Sequence, residues 1–396
     1  MTLVTSVEPE SSVAVGPGRD LTRLLWPITL VIPMLPLVAM GLFVLTGNGI
    51  WLWLGPIVLL GAVPVVDVIV GMRTSGSLDD VIDQLSRDRL YRWQTYLFLP
   101  LQYVGFLAGM WLIARGDLLL SEKLGLAVTV GVLVIIGFNS AHELGHKRES
   151  VERWLSRIAL AQCGFGHFYT EHSRGHHVRV ATPGDPTSSR LGESYYAFLA
   201  RATVGTLRDA WRIEGRRCAR RGHLTLSIRN EVVISWLMTA GLWVGVLVWL
   251  GWGVLPFLVI QALVAIALLL AINYLEHYGM LRQRVTSNGG EKYEPVRPRH
   301  SWNSDSLMTY LLLYHLQRHG AHHDNHARRP SKVRDLEESP VLPTGYAGMI
   351  LLALVPPVWR RVMDPRVAKH YGGDLTLANL QPSQRHRYLP VSTTAR

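Results

Sequence analysis

Apolar residues in this chain run in long uninterrupted blocks instead of alternating or recurring on one helical face. Six blocks approach the roughly 20 residues that a helix needs to cross the hydrocarbon core of a bilayer: 24–45, 50–71, 95–114, 124–140, 232–252 and 255–276. The second carries Asp67, and the others are almost uncharged inside. Buried core helices of a large soluble protein are the competing reading, and six such runs weigh against it. The pattern predicts an all-α integral membrane protein with six transmembrane helices. It divides the chain into an N-terminal tail at 1–23, a single membrane-embedded domain at 24–381 and a disordered tail at 382–396. Between the spans, 72–94 mixes charged and apolar positions and reads as an interfacial or cytoplasmic helix. The stretch 345–359 is apolar but short, and is expected to pack back on the bundle without spanning.

Composition and charge add an orientation. Charged residues make up 17% of the 396 positions, against 48% hydrophobic, where a soluble chain carries about a quarter charged residues. Of 40 Lys and Arg, only Arg115 and Lys123 lie in the links after the first, third and fifth blocks, and the other 38 lie in the remaining polar segments. Positive charge is retained on the cytoplasmic side, so both termini and both large polar segments are expected there. The first block follows a tail holding Glu8, Glu10 and Asp20 with no cleavage-site pattern, and reads as an anchor rather than a signal peptide. The Arg-dense run 211–221 reads as a solvated or lipid-facing surface, not as a nucleic-acid site. The two cysteines, Cys163 and Cys218, are too few for a Cys₄ metal module, and on the cytoplasmic side they are not expected to pair.

Histidine carries the candidate chemistry. All 16 lie after the fourth block begins to end, and three clusters stand out: His142-Glu-Leu-Gly-His146, His172-Ser-Arg-Gly-His176-His177 and His319-Gly-Ala-His322-His323. His277 closes the sixth block. Residues at i, i+3 and i+4 share one helix face, so His142 and His146 point the same way, as do His172 and His176, and likewise His319, His322 and His323. Neutral imidazole suits zinc, copper, iron and nickel, and nine imidazoles are too many for one ion and about right for two. The clusters begin where apolar spans end, and ionisable groups at the edge of a membrane core are costly unless functional. A metal site is therefore expected at the cytoplasmic mouth of the bundle, open to a lipid-soluble substrate. An apolar C–H bond offers nothing for acid–base catalysis to grip, which points to a redox-active iron cofactor. His223, His370 and His386 read as ordinary polar residues; His167, His300, His315 and His326 lie near the clusters and are secondary ligand candidates.

The string Ala141-His-Glu-Leu-Gly-His-Lys147, then Gly166-His-Phe-Tyr-Thr-Glu-His-Ser-Arg-Gly-His-His177, Asn273-Tyr-Leu-Glu-His-Tyr-Gly279 and Leu316-Gln-Arg-His-Gly-Ala-His-His323 resembles the membrane-bound alkane 1-monooxygenases. Weaker likenesses lie at Val180–Pro186 and Arg299–Asn303, and the resemblance runs from about Leu24 to Asp374. The three histidine boxes are shared with the wider desaturase and hydroxylase superfamily; the first and the Glu-His-Tyr-Gly strings are narrower. The resemblance implies six membrane helices in a bacterial cytoplasmic (inner) membrane. It further implies two non-haem iron ions without haem or flavin, use of O₂, and electrons from a separate rubredoxin and its NAD(P)H-dependent reductase. Its implied ligands are His142, His146, His172, His176, His177, His277, His319, His322 and His323. Gly320-Ala321 departs from the family's usual Ser-Asp and replaces a polar pair inside the third box.

Carboxylates near these histidines, Glu143, Glu171, Asp185, Glu276 and Asp324, can accept the second ring N–H of a ligand. Asp185 and Glu276 are the preferred outer partners, and Glu143 is also a candidate ligand. A basic cytoplasmic face would guide an acidic electron carrier. Val58–Pro64 resembles a stretch of the family where a bulky aromatic can close the substrate tunnel; here Leu59 or Leu60 takes that place, so medium to long alkanes are expected to fit, the alternative being that both leucines face lipid. Three other readings stand beside this one. They are a sister di-iron enzyme acting on an aromatic methyl group or a lipid, a membrane zinc protease built on His142-Glu143-x-x-His146, and a metal transporter. The protease leaves six histidines unexplained, and the transporter would want more polar residues within the spans than Asp67.

Overall fold

The computed structural model describes residues 31–70, 89–145, 150–287, 290–304, 306 and 339–389. A 3₁₀ turn at Ile32–Met34 leads into α1 (Leu35–Thr46), which ends on Gly47 at φ 67° with its N–H on Phe43 O. Glycine is favoured in that left-handed position. Asn48 then caps the next helix by accepting from the Ile50 amide, so two apolar helices are joined by a link only two residues long.

That next helix, α2 (Gly49–Val70), is not uniform. It opens as a 3₁₀ segment (Gly49–Trp53), passes through an α turn (Leu54–Pro56) and a π turn (Ile57–Ala62), and closes as α-helix (Val63–Val70). Pro64 supplies the cause: it has no N–H for the carbonyl four residues back, and its ring would clash there. Leu59 and Leu60 both fall in the π turn, Leu59 buried and Leu60 partly buried against the main core.

α3 (Arg89–Arg115), α4 (Leu120–Gly145), α8 (Glu231–Leu250) and α9 (Leu255–His277) follow the expected blocks closely. Among the described residues, four helices are long and apolar enough to cross a membrane: Gly49–Val70, Tyr96–Arg115, Glu231–Leu250 and Trp252–His277. Ile32–Thr46 is apolar but shorter, and residues 24–30 of the first expected span lie outside the described residues. So does most of the 72–94 segment.

α4 and α9 make the most extensive helix pair. They approach so closely that a Cβ on Gly131 would lie 2.6 Å from Gln261 O. Between membrane helices, where lipid is as apolar as leucine, small residues permit the close packing that drives association. A second close approach sets α2 on α4. A Cβ on Gly55 would lie 2.7 Å from Thr129 Cα, and the Gly55 amide donates to Thr129 Oγ1, which donates to Leu52 O.

Part of the segment read as polar and cytoplasmic folds back among the spans. α5 (Ser150–Ala161) packs on α4 and α8. The residue after it, Gln162, accepts from Gln102 of α3 at 2.9 Å and donates to Gln261 of α9 at 3.3 Å. All three glutamines are buried.

After α9 the chain forms a hairpin of β1 (Arg284–Ser287) and β2 (Gly290–Tyr293), antiparallel with Arg284 opposite Tyr293. The expectation of an all-α protein did not include it, although Asn288-Gly289 is a strong hairpin signal. α10 (Tyr346–Ala353) and α11 (Pro356–His370) return to the bundle: Tyr346, Met349, Ile350 and Trp359 are buried in the core that holds α9. Residues 382–388, expected to trail as a disordered tail, form a turn (Pro382–Gln384) and a short helix, α12 (Arg385–Tyr388). Tyr388 Oη donates to Asp364 at 2.6 Å, and Tyr278 Oη donates to the other oxygen of that carboxylate at 2.8 Å.

Candidate metal centre

The second histidine cluster sits on α6, which runs through an α turn (His167–Glu171), a π turn (His172–His176) and a final α turn (His177–Arg179). The π turn matters for the chemistry. In an α-helix His172 and His176 would share a face and His177 would point elsewhere. Here the His177 amide bonds to His172 O, five residues back, and the wider turn brings i+5 round to i. His177 Nε2 lies 3.1 Å from His172 Nε2, close enough for both nitrogens to face one ion. The His172 ring stacks on Phe168 on one side and on His176 on the other, with centroids 5.2 and 5.1 Å apart.

His277, the last residue of α9, brings its ring to 4.9 Å from that of His176. The helix stops there because Tyr278 turns extended (ψ 111°) and Gly279 takes φ 76°, its amide donating to Ser189 O. Four of the expected ligands, His172, His176, His177 and His277, thus come together from two elements. His172, His176 and His277 are buried.

Asp185 is held against this group by a tight turn. Ala181 adopts φ 54°, the one positive φ outside glycine among the described residues. A left-handed alanine is strained, and such strain persists where surrounding contacts fix it. The Ala181 amide donates to Ser188 Oγ and its carbonyl accepts from the Arg282 amide. The chain therefore doubles back, and Asp185 Oδ2 meets His176 Nδ1 at 2.8 Å. Ser188 Oγ donates to the same oxygen at 2.6 Å, and the amide and hydroxyl of Thr187 donate to the other. Burial alone would push the Asp185 carboxyl up; His176 and the Ser188 hydroxyl hold it well below the usual carboxylate range. The carboxylate fixes the His176 tautomer with its proton on Nδ1, which leaves Nε2 as the nitrogen that could coordinate a metal. This is the usual outer arrangement of a metal-binding histidine.

Glu276 is buried, and its Oε1 accepts from Tyr346 Oη of α10 at 2.9 Å. Ser301 Oγ lies 3.3 Å from His277 Nδ1, and the Trp302 amide donates to Glu276 O. The Arg299–Asn303 string noted for its family likeness is thus packed on the end of α9. Thr187, Ser188, Ser301 and Tyr346 are site residues that the sequence did not single out. Ser301 falls inside the Arg299–Asn303 string and Thr187 and Ser188 directly follow Val180–Pro186, while Tyr346 has no recognised string beside it.

Other candidates separate from this group. Glu171 is buried and faces Arg179, 3.8 Å away, which is ion-paired with Asp209; burial pushes the Glu171 carboxyl up. His167 is buried edge-on to Phe165, neither ring nitrogen has a hydrogen-bond partner among the described residues, and burial lowers its pKa to about 4. His300 is held by Glu294 and by the Arg297 amide, a structural setting. His142 and Glu143 lie in the last turn of α4, with side chains outside the described residues. His146, His315, His319, His322, His323, Asp324 and His326 also lie outside them.

Among the described residues no three His, Cys, Asp or Glu side chains are grouped so as to hold a metal ion. The donor set nevertheless fits a metal of the imidazole-binding kind. Two Nε2 atoms converge and a third ring is oriented through its Nδ1 by a carboxylate.

The sequence pattern of the fatty acid desaturase family matches residues 123–353, from the start of α4 to the end of α10. The chain is 39% identical to alkane 1-monooxygenase 1 of Alcanivorax borkumensis, over 96% of this chain and 94% of that protein. It is 38% identical to alkane 1-monooxygenase of Ectopseudomonas oleovorans, over 93% and 92% respectively.

The chain belongs to the fatty acid desaturase family, among the alkane 1-monooxygenases.

All nine expected ligands fall inside the family match. Similarity to the xylene/toluene monooxygenase hydroxylase component of Pseudomonas putida is lower, at 27% identity over 82% of this chain. With family membership and four helices of spanning length, the protein is an integral membrane protein.

Proposed function

We propose that this protein hydroxylates the end carbon of linear alkanes, using O₂ at a non-haem di-iron site. The reaction converts R–CH₃, O₂, two electrons and two protons into R–CH₂OH and water. The electrons come from a separate rubredoxin served by an NAD(P)H-dependent reductase, since the two cysteines of this chain cannot make a rubredoxin site. The iron pair would be held by His142, His146, His172, His176, His177, His277, His319, His322 and His323. The observation that carries this reading is the convergence of His172, His176 and His177 with His277, the residue that ends an apolar span. The chain holding them is similar almost end to end to alkane 1-monooxygenases.

Bound iron would supply the O₂ activation and one-electron chemistry that an unactivated C–H bond requires. The chain's own residues bind, orient and shield. Asp185 keeps the His176 ring in one tautomer, and Ser301 steadies that of His277. Glu276 and Tyr346 form a hydrogen-bonded pair beside the end of α9, and Glu143 stands beside His142 as an outer partner or a ligand. Leu59 and Leu60, in the π turn of α2, would line the far end of a substrate tunnel between the spans. Leu59 is buried and Leu60 partly buried against the core, which supports that assignment. The six-span arrangement rests on the apolar blocks, and the placing of termini and site on the cytoplasmic face of an inner membrane on the basic-residue asymmetry.

The test is turnover of a set of n-alkanes by the purified chain with rubredoxin, its reductase, NAD(P)H and O₂. 1-Alkanols are expected. Benzylic alcohols from methyl aromatics with no alkanol from any alkane would favour the aromatic-methyl reading instead.

A further inference from the structure

The connection between α7 (Tyr195–Arg220) and α8 has its polarity turned inside out. Along 223–228, His223, Thr225 and Ser227 are half-buried, the His223 ring beside the Arg229 guanidinium, while Leu224, Leu226 and Ile228 are 80%, 76% and 76% exposed. A loop facing water would place these residues the other way round. The orientation is fixed by the fold: Asn230 Nδ2 donates to Thr225 O at 2.8 Å, and the His223 amide donates to Cys218 O at 2.9 Å. Arg217 of α7 donates to Arg229 O. Thr225 also packs over Gly215, where a Cβ would lie 3.5 Å from its methyl group.

The surroundings say what covers the three apolar side chains. Ile228 is three residues before Glu231, which opens the membrane-spanning helix Glu231–Leu250, so the loop lies level with the edge of the bilayer. One and a half turns into that helix, Trp236 stacks on Trp211 of α7, with centroids 5.5 Å apart and planes within 12°. Tryptophan concentrates at membrane–water interfaces, and this pair ties the second half of α7 to that level. Arg220, Arg221 and Arg229 flank the loop and are exposed, placed for anionic headgroups.

We propose that the 222–230 loop is a membrane-interface wedge. Leu224, Leu226 and Ile228 enter the boundary between headgroups and acyl chains beside α8, while Arg220, Arg221 and Arg229 meet lipid phosphates. The combination of apolar insertion and a basic rim is how interfacial segments hold a bilayer surface. The wedge would keep α7, which packs on α6 and its histidines, at a fixed height over the membrane. The inference rests on α8 being a span.

The experiment places an environment-sensitive fluorophore on Leu226→Cys in the full chain, reconstituted in phosphatidylcholine vesicles containing phosphatidylglycerol. Native Cys163 and Cys218 are both buried and are checked for labelling in the unsubstituted chain. Val244→Cys, on the exposed face of α8, is the lipid reference, and Lys292→Cys, in the β hairpin, is the water reference. The wedge predicts quenching of the Leu226 label by lipids spin-labelled near the glycerol, weaker quenching by lipids labelled near the chain end, and about threefold or more protection from aqueous iodide relative to Lys292. A Leu226 label as open to iodide as Lys292, with Val244 still reporting lipid, overturns the wedge and leaves the span intact. Protection from both iodide and spin-labelled lipid also overturns it, in favour of a protein partner. If Val244 itself reports water, the span and with it the wedge are wrong.

Discussion

His176 Nδ1 and Asp185 Oδ2 lie 2.8 Å apart although nine residues separate them, because Ala181 turns the chain back on itself. Outer carboxylates of this kind are worth 10–100-fold in metal affinity or activity. Asp185→Asn is expected to lower activity and iron retention by about that factor, measured as iron per chain after dialysis against a chelator. Thr187→Val removes one of the donors to Asp185 and keeps the carboxylate, so its loss should be smaller. Equal iron retention in Asp185→Asn and the parent would remove this residue from the site.

Tyr346 reaches from α10 to Glu276 on α9. Deleting one partner of a buried hydrogen bond costs about 1–3 kcal/mol. Tyr346→Phe should lower the thermal unfolding midpoint in detergent and reduce turnover, with iron content close to that of the parent. A Tyr346→Phe variant matching the parent in both stability and turnover would show the contact to be dispensable.

His167 gives the protein an acid-sensitive group. Its folded pKa is lowered to about 4 from 6.5 by burial. Below pH 6.5 the unfolded chain takes up the proton while the folded chain resists, so stability is complete above pH 6.5 and falls towards pH 4. At pH 5 the loss from this residue is about 2 kcal/mol. His167→Phe, which keeps a ring against Phe165, should lose less stability than the parent between pH 7.5 and pH 5. Identical losses in the two proteins would show that the imidazole is not the acid-sensitive group.

Leu59 lies in the π turn of α2, where a helix departs from its regular path. With Leu59 at the end of the proposed tunnel, Leu59→Trp is expected to shift preference toward shorter alkanes, because the added ring would fill that end and overpacking costs about 1–3 kcal/mol. An unchanged chain-length profile in a folded, iron-loaded variant would take Leu59 out of the tunnel.

Much of the fold was legible because a membrane span must satisfy its backbone within one helix, so its length and hydropathy stand out. The blocks at 50–71, 95–114, 232–252 and 255–276 match helices to within a few residues, apart from the N-terminal extension of α3. The return of Gln162 into the bundle was hidden, because amide side chains look polar in a sequence and reveal only in three dimensions that they satisfy one another. At the site, His172, His176 and His277 could be named from spacing and likeness. That His177 joins His172 depends on a π turn, which no spacing rule anticipates, and Asp185 reaches His176 through a left-handed alanine that composition does not announce. Tyr346 is contributed by a segment seventy residues beyond its partner, with no motif of its own.

The most direct test is isotopic. The purified, iron-loaded chain with rubredoxin, its reductase and NAD(P)H is given n-octane under isotopically labelled O₂, beside a His176→Ala variant. The account predicts 1-octanol carrying one labelled oxygen from the parent chain and none from the variant. Labelled 1-octanol from the variant at the parent rate, or no labelled alkanol from an iron-loaded parent on any n-alkane, would contradict it.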